Sequence, residues 1–176
     1  MVYFPIIGDI FRALVSIVHQ FHPMRWRMRI LVDADSCPVV IKDILYRAAE
    51  RVRVPLVLVA NTQLIIPESA FISCIEVPAG PDIADDRIVD MVEANDLVIS
   101  ADLPLADRVI KKGGFVLNPR GDFYTAENIK DCLATRDLMD VLRNSGIDTG
   151  GPSSLSQKNR RFFANQLDRF LMKHCC

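Results

Sequence analysis

The chain has 176 residues, half of them hydrophobic and 24% charged, and a formal net charge of −1 at pH 7. This length and composition are typical of one folded domain with a substantial core. There is no overall basic excess and no acidic tail, so a nucleic-acid partner would need a local basic patch or a metal.

The first 27 residues are apolar, but Asp9 and Arg12 interrupt them, which makes them a poor candidate for a membrane-spanning helix. They also lack the basic start and the cleavage site of a secretory signal. Their periodicity is compatible with an amphipathic helix, or with an upstream extension in front of an original start at Met28. We therefore divide the chain into an extension, 1–27, and a single domain, 28–176.

The five cysteines are odd in number and contain no C-x-x-C pair. This pattern favours free thiols in a reducing, cytoplasmic environment over a disulfide framework. Three scattered histidines make a Cys/His zinc site improbable. Cys37 is interpreted as a small packed residue, because no histidine lies near it in sequence to activate it.

From Met28 onward, short apolar runs alternate with stretches of helical periodicity. Strands are predicted at 29–33, 55–60, 71–77, 96–100 and 115–118. Helices are predicted at 38–52, 81–94, 103–114, 126–144 and 157–173, with a Gly/Ser/Pro loop at 145–156. This order predicts an α/β fold, with a central, mostly parallel sheet of about five strands flanked by helices.

Polar residues follow each predicted strand. In open parallel sheets, ligands bind outside the carboxyl ends of the strands, so these residues are expected to gather at one edge. Clustered carboxylates repel each other, and Mg²⁺ or Mn²⁺ are the hard cations that prefer such oxygens. The residues, in strand order, are Asp33 and Asp35; Asn61; Asp82, Asp85 and Asp86; Ser100 and Asp102; Asn118, Arg120 and Asp122.

Several of these acids also have a purely structural explanation. Asp35 or Ser36 could be the N-cap of the first helix, and Asp102 could cap the helix that Pro104 begins. Asp85 and its neighbour Asp86 could be surface acids that the helix dipole favours. Several acids after different strands make a purely structural explanation of the whole set less attractive.

Five motifs occur along the chain in this order: "VDADSCPVVIKDILYRAAER", "VPAGPDIADDRIV", "DLVISADLPLADRVI", "LNPRGDFYT" and "TGGPSSLSQKNRRFFANQLDRF". Together they resemble the YaiI/YqxD family of uncharacterised bacterial proteins, from about Met28 to Leu171. That family is similar to PIN-like domains, the fold of many metal-dependent ribonucleases, and the resemblance implies a three-layer PIN-like fold. The 27 N-terminal residues lie outside the family pattern.

The resemblance also implies roles for individual acids. The first acid of PIN-like nucleases ends strand one, as Asp33 does, and another follows a later strand in a D-x-x-[LF] pattern, as Asp102 does. Three neighbouring acids compete for the role in between, and a more variable fourth acid corresponds to Asp122. The resulting metal-ligand candidates are Asp33, Asp82, Asp86, Asp102 and Asp122.

The leading hypothesis is a metal-dependent phosphodiesterase, a nuclease acting on RNA with Mg²⁺ or Mn²⁺. The catalytic candidates are Asp33, Asp35, Asp85, Asp86 and Asp102. The candidates for substrate binding are Asn61, Ser100, Arg120, Lys158 and Arg160. Phe162 and Phe163 beside the last two cations could stack bases, although they are more typical of residues that anchor the last helix.

Two alternatives remain open. One is a non-catalytic module that binds RNA or protein with the same fold. The other is a haloacid-dehalogenase-like phosphatase with Asp33 as nucleophile and Asp35 as acid/base, although the order of the later motifs argues against it. The sequence contains no motif for sequence-specific DNA binding, and it is compatible with a homo-oligomer.

Overall fold

A computed structural model describes residues 28–147 and 154–175 of the chain. The predicted extension at 1–27 lies outside the described residues, as does the middle of the predicted loop at 145–156. Within the described ranges, no helix has both the length and the apolar character needed to cross a membrane.

Six strands form one sheet within the described residues, in the order β3-β2-β1-β4-β5-β6. All neighbouring strands are parallel except β5 and β6, which are antiparallel. The predicted mostly parallel sheet is therefore confirmed, with one more strand than expected. The strands are β1 Ile30–Asp33, β2 Leu56–Ala60, β3 Ile72–Glu76, β4 Leu97–Ile99, β5 Phe115–Leu117 and β6 Phe123–Tyr124.

Five helices of the described residues cover the two faces of this sheet. Residues of α1 and α5 pack with Ile30 and Val32 of β1, and residues of α2, α3 and α4 pack with Leu31 on the opposite face. Burial of both faces explains the continuous apolar runs of the strands. The helices are α1 Val39–Val52, α2 Ile83–Met91, α3 Leu103–Lys111, α4 Ile129–Asn144 and α5 Gln157–Cys175.

The sixth strand and several helix ends differ from the sequence-based prediction. β6 has only two residues, too few to show a strand period, and it pairs with β5 through a tight turn at Gly121, whose φ is +99°. Helix α2 begins two residues later than predicted, because Asp82 adopts a left-handed conformation with φ of 58°. Helix α4 also begins later than predicted, at Ile129, and α5 extends to Cys175.

The amino edge of the sheet is held by a buried ion pair. Asp96, only 3% exposed, accepts hydrogen bonds from the backbone N–H of Arg29 at 2.7 Å and from its guanidinium at 2.7 and 3.1 Å. It also accepts a hydrogen bond from the backbone N–H of Glu93 at 3.0 Å. These bonds satisfy a buried carboxylate and fix the start of β1 beside β4, so Asp96 has a structural role.

We expect Asp96→Ala to lower the free energy of unfolding by about 3 kcal/mol, because it leaves the partly buried Arg29 without its carboxylate. Asp168→Ala is the matched control, since its ion pair with Arg51 is about half exposed on both sides and should cost less than about 1 kcal/mol. Urea denaturation of both variants measures the difference. Equal losses would contradict this role of Asp96.

Candidate functional site

Three buried polar side chains lie in one row at the carboxyl edge of the sheet. Val32, Ile99 and Leu117 are in register across β1, β4 and β5. The next residue along each strand direction is polar and at most 8% exposed: Asp33, Ser100 and Asn118. Since neighbouring strands are about 4.8 Å apart, these groups are close neighbours. The row crosses the β1–β4 junction, where the strand order reverses and ligands bind in such folds.

Asp33 is held in place by two hydroxyl groups. Ser36 donates a hydrogen bond to Asp33 Oδ2 at 2.5 Å, and Ser100 donates one to the same oxygen at 3.1 Å. The Ser100 hydroxyl in turn accepts a hydrogen bond from the backbone N–H of Asp102 at 3.0 Å. Within the described ranges, Asp33 Oδ1 accepts no hydrogen bond. The buried carboxylate is thus oriented through one oxygen.

Asp102 is the N-cap of α3, as one of the two interpretations of this residue predicted. Its Oδ1 accepts a hydrogen bond from the backbone N–H of Leu105 at 2.7 Å, while its Oδ2 accepts none among the described residues. Capping one helix through one oxygen leaves the second oxygen for another contact. The structural role and the proposed ligand role are therefore compatible in this side chain.

Asp85 of α2 is partly buried, unlike its acidic neighbours Asp82 and Asp86. Burial raises the pKa of its carboxyl to about 6, and the negative charges of Asp102, Asp33 and Asp82 contribute further in the same direction. Arg108 opposes this rise in pKa. Asp33, Asp85 and Asp102 thus come from three different elements, and the charges of Asp33 and Asp102 disfavour ionisation of Asp85.

The neighbouring acids of α2 are placed differently. Asp86 is exposed and forms an ion pair with Arg108 at 2.6 Å. Asp82 is exposed, in the left-handed conformation that precedes the helix. Of the three competing acids, Asp85 is therefore the one that is partly buried and whose pKa the charges of Asp102 and Asp33 raise.

Asp35 is exposed and lies towards β2, where its Oδ2 accepts a hydrogen bond from the backbone N–H of Asn61 at 2.8 Å. The prediction that Asp35 or Ser36 caps the first helix is wrong, because the N-cap of α1 is Pro38, without a side-chain hydrogen bond. Both side chains bond elsewhere instead. Burial raises the pKa of Cys37 to about 12, in agreement with its interpretation as a packed residue.

The loop between β5 and β6 carries Arg120 and Asp122. Asn118 shapes this loop, since its Oδ1 accepts hydrogen bonds from the backbone N–H groups of both residues at 2.9 and 3.0 Å. Arg120 and Asp122 line an open cleft of about 620 Å³ together with Lys158 of α5. Arg160 lines an adjacent groove between α5 and α1. The predicted substrate-binding cations thus lie together, apart from the acidic cluster.

Tyr124 connects these two regions and was not predicted as a site residue. Burial raises the pKa of its hydroxyl, and the charges of Asp122 and Asp102 contribute to this rise, so the side chain lies near both acids. Ser36 was also missed as a partner of Asp33. The three-residue spacing between Asp33 and Ser36 could have indicated that contact, whereas Tyr124 depends on the unexpected strand β6.

The described residues contain no group of three or more His, Cys, Asp or Glu side chains that could hold a metal ion. Such a group would form a preformed metal site. However, Mg²⁺ often binds to one or two carboxylates, and waters and substrate phosphates then complete its coordination shell. The unbonded oxygens of Asp33 and Asp102 meet this lesser requirement. A site of the second kind is the one that these residues fit.

Comparison with known proteins relates nearly the whole domain to one family. Residues 31–173 match the family described as "Uncharacterized BCR, YaiI/YqxD family". A UPF0178 protein of Janthinobacterium sp. (strain Marseille) is 59% identical over 146 residues, 83% of this chain and 97% of the relative. A UPF0178 protein of Burkholderia lata is 56% identical over 147 residues, 84% of this chain and 98% of the relative. No solved structure matches significantly.

The raised pKa of Asp85 predicts a pH-dependent stability. Because the folded chain holds this proton more tightly than the unfolded chain, the contribution of Asp85 to the free energy of unfolding falls as the pH rises from about 4 through 6. In EDTA, Asp85→Asn should therefore raise the Tm by about 2–4 °C at pH 7.5, after allowance for partial exposure, and by much less at pH 4. Calorimetry at the two pH values tests this; an equal change at both would contradict it.

Proposed function

Since the chain belongs to the YaiI/YqxD family, whose description assigns no activity, we propose from the site that it is a metal-dependent phosphodiesterase acting on RNA. The observation that best supports this proposal is the raised pKa of Asp85, to which the charges of Asp102 and Asp33 contribute, beside the strand-order reversal. A divalent cation relieves such repulsion, and it has a direct use in phosphoryl chemistry. The relation to PIN-like nucleases stays a prediction from the sequence.

Mg²⁺ or Mn²⁺ would be held by Asp33 and Asp102, with Asp85 as the third acid of the centre. Weaker candidates in this arrangement are the exposed Asp82 and Asp86, and Asp122, which lines the cleft beside the β5–β6 loop. When bound, the ion would polarise a phosphoryl oxygen and lower the pKa of water. A substrate phosphate would complete the coordination that the protein side chains leave open.

The other side chains act by positioning. Ser36 and Ser100 fix the orientation of Asp33, and this restricts where a ligand of its second oxygen can lie. Asp35 and Asn61 border the centre on the β2 side, where they would contact the substrate or its water. Arg120 would bind a phosphate through its planar guanidinium.

A non-catalytic module that binds RNA or protein is the second candidate function. It is favoured by the structural use of the same acids, because Asp33 bonds two serines and Asp102 caps a helix. It is also favoured by the lack of a three-ligand group within the described part of the chain. In this case the acids maintain the edge of the sheet, and binding occurs without cleavage.

The proposed activity is tested with labelled single-stranded RNA and the full chain in Mn²⁺, Mg²⁺ or EDTA. We expect cleavage that requires the metal and falls by at least about 100-fold in Asp33→Asn and in Asp85→Asn, because each variant removes a charge from the centre. Asp86→Asn is the matched control, since it removes a neighbouring acid that pairs with Arg108, and it should stay within about twofold of the wild type.

Three other outcomes would overturn the proposal. Unchanged cleavage by Asp85→Asn would place the activity elsewhere, or in a contaminant. RNA binding without cleavage, and without a thermal shift on adding Mn²⁺, would favour the non-catalytic module. Hydrolysis of p-nitrophenyl phosphate but not of RNA would favour the phosphatase alternative, with Asp33 as nucleophile.

A further inference from the structure

A basic groove crosses the first turns of α5 on the opposite side of the sheet from α2 and α3. It combines the 620 Å³ cleft beside the β5–β6 loop with a groove of about 310 Å³ between α5 and α1, and Arg161 lines both. We call this surface the α1–α5 groove. Its charged residues are five cations, Arg47, Arg120, Lys158, Arg160 and Arg161, and two acids, Asp43 and Asp122.

This local excess of positive charge contrasts with the whole chain, which has 21 Lys and Arg against 22 Asp and Glu. Clustered cations repel one another and create a positive potential that attracts anions. Among the ion pairs of the described residues, none includes Arg47, Lys158 or Arg161. The groove therefore has the electrostatic character of an anion-binding surface.

One donor in the groove is both buried and unsatisfied. Within the described ranges, Arg160 Nε is the buried side-chain nitrogen or oxygen that has no hydrogen-bond partner. Buried donors in folded proteins are nearly always paired with protein, water or a ligand. Because Arg160 lines the groove between α1 and α5, an anion bound there is a suitable partner for its guanidinium.

The groove also contains an exposed aromatic ring. Phe163 is fully buried and anchors α5 in the core, whereas Phe162 is 42% exposed and lines the larger cleft. Gly121 permits this arrangement, since a Cβ there would lie 2.6 Å from a ring carbon of Phe162. Proteins that bind single-stranded nucleic acids combine an exposed aromatic ring, on which a base stacks, with nearby cations that bind the phosphates.

We propose that the α1–α5 groove binds the backbone of a single-stranded polynucleotide, with a base stacked on Phe162. This rests on the proposed function and extends it: the substrate is a strand of several nucleotides, because the groove crosses at least one helix diameter, about 10 Å. Helix α1 begins just after β1, and the start of α5 packs against Gly121 in the loop after β5. Both ends of the groove thus lead to the carboxyl edge where Asp33 lies.

The proposal is tested by fluorescence anisotropy with the full chain and a fluorescein-labelled 12-nucleotide oligouridylate in EDTA, which separates binding from cleavage. Arg47→Gln combined with Arg161→Gln should weaken binding at least about tenfold. It should also reduce the slope of the logarithm of the binding constant against the logarithm of the salt concentration by about 1.4, or 0.7 for each lost phosphate contact. The matched control, Arg169→Gln combined with Lys173→Gln, removes the same charge from the second half of α5 and should keep the wild-type slope.

A second pair of variants tests the stacking contact. Phe162→Ala should weaken oligouridylate binding by about five- to 100-fold, and Phe162→Tyr should restore it, because a phenol ring still stacks. Thermal melts identify any variant that is unfolded. Oligodeoxyuridylate of the same length distinguishes an RNA-binding groove from one that accepts either backbone.

Equal losses of oligouridylate affinity in the groove variant and its control would overturn the proposal. If the wild type bound a 12-residue polyglutamate as tightly as oligouridylate, this would also overturn it and would indicate an acidic protein partner. Absence of oligouridylate and oligodeoxyuridylate binding by the wild-type chain would also overturn it. Failure of the phosphodiesterase proposal can be distinguished from failure of the groove proposal. If Asp33→Asn and the wild type bind alike in EDTA and neither cleaves with Mn²⁺, the groove stands and the catalytic proposal falls.

Discussion

The hydrogen bond from Ser100 to Asp33 joins β1 and β4, the two strands from which the sheet extends in opposite directions. Its 3.1 Å contact lies at the reversal of strand order, and the candidate site is built around it. The same serine hydroxyl accepts a hydrogen bond from the backbone N–H of Asp102 and thereby positions the start of α3. One hydroxyl thus connects the strand that carries the buried acid with the helix that carries the second acid.

The structure separates the charges that the net charge of −1 conceals. Acids lie at the edge of the sheet near α2 and α3, where the charges of Asp102 and Asp33 contribute to the raised pKa of Asp85. Cations gather along the α1–α5 groove. A metal-dependent phosphodiesterase uses both features, because cations bind the backbone of its substrate and a carboxylate-bound metal activates the reacting phosphate. The acids at the sheet edge are the basis of the phosphodiesterase proposal, and the α1–α5 groove is the basis of the binding proposal.

Much of the fold could be predicted from sequence, because buried parallel strands give continuous apolar runs and helices give a clear period. The two-residue strand β6 could not, since Phe123 and Tyr124 are too few to show any period. The late start of α2 depends on the left-handed backbone of Asp82, a residue that does not require this conformation.

The candidate site was predicted less completely than the fold. The order of strands and acids predicted that Asp33 and Asp102 lie at the same edge of the sheet, but choosing among Asp82, Asp85 and Asp86 required knowledge of which carboxyl is partly buried near these two acids. The role of Asp102 as a cap was foreseen, whereas that of Asp35 was not, because its partner Asn61 is 26 residues away. Long-range contacts of this kind have no local signature in the sequence.

The central claim is that Asp33, Asp85 and Asp102 form a centre whose repulsion a divalent cation relieves. It is tested most directly by carbon-13 NMR titration of the Asp85 carboxyl, with and without saturating Mg²⁺. Without the metal, we expect the pKa of about 6 that burial and the neighbouring acids produce. With the metal, the pKa should fall clearly below that value, because the cation favours the ionised carboxylate. An identical pKa in both conditions would contradict the claim.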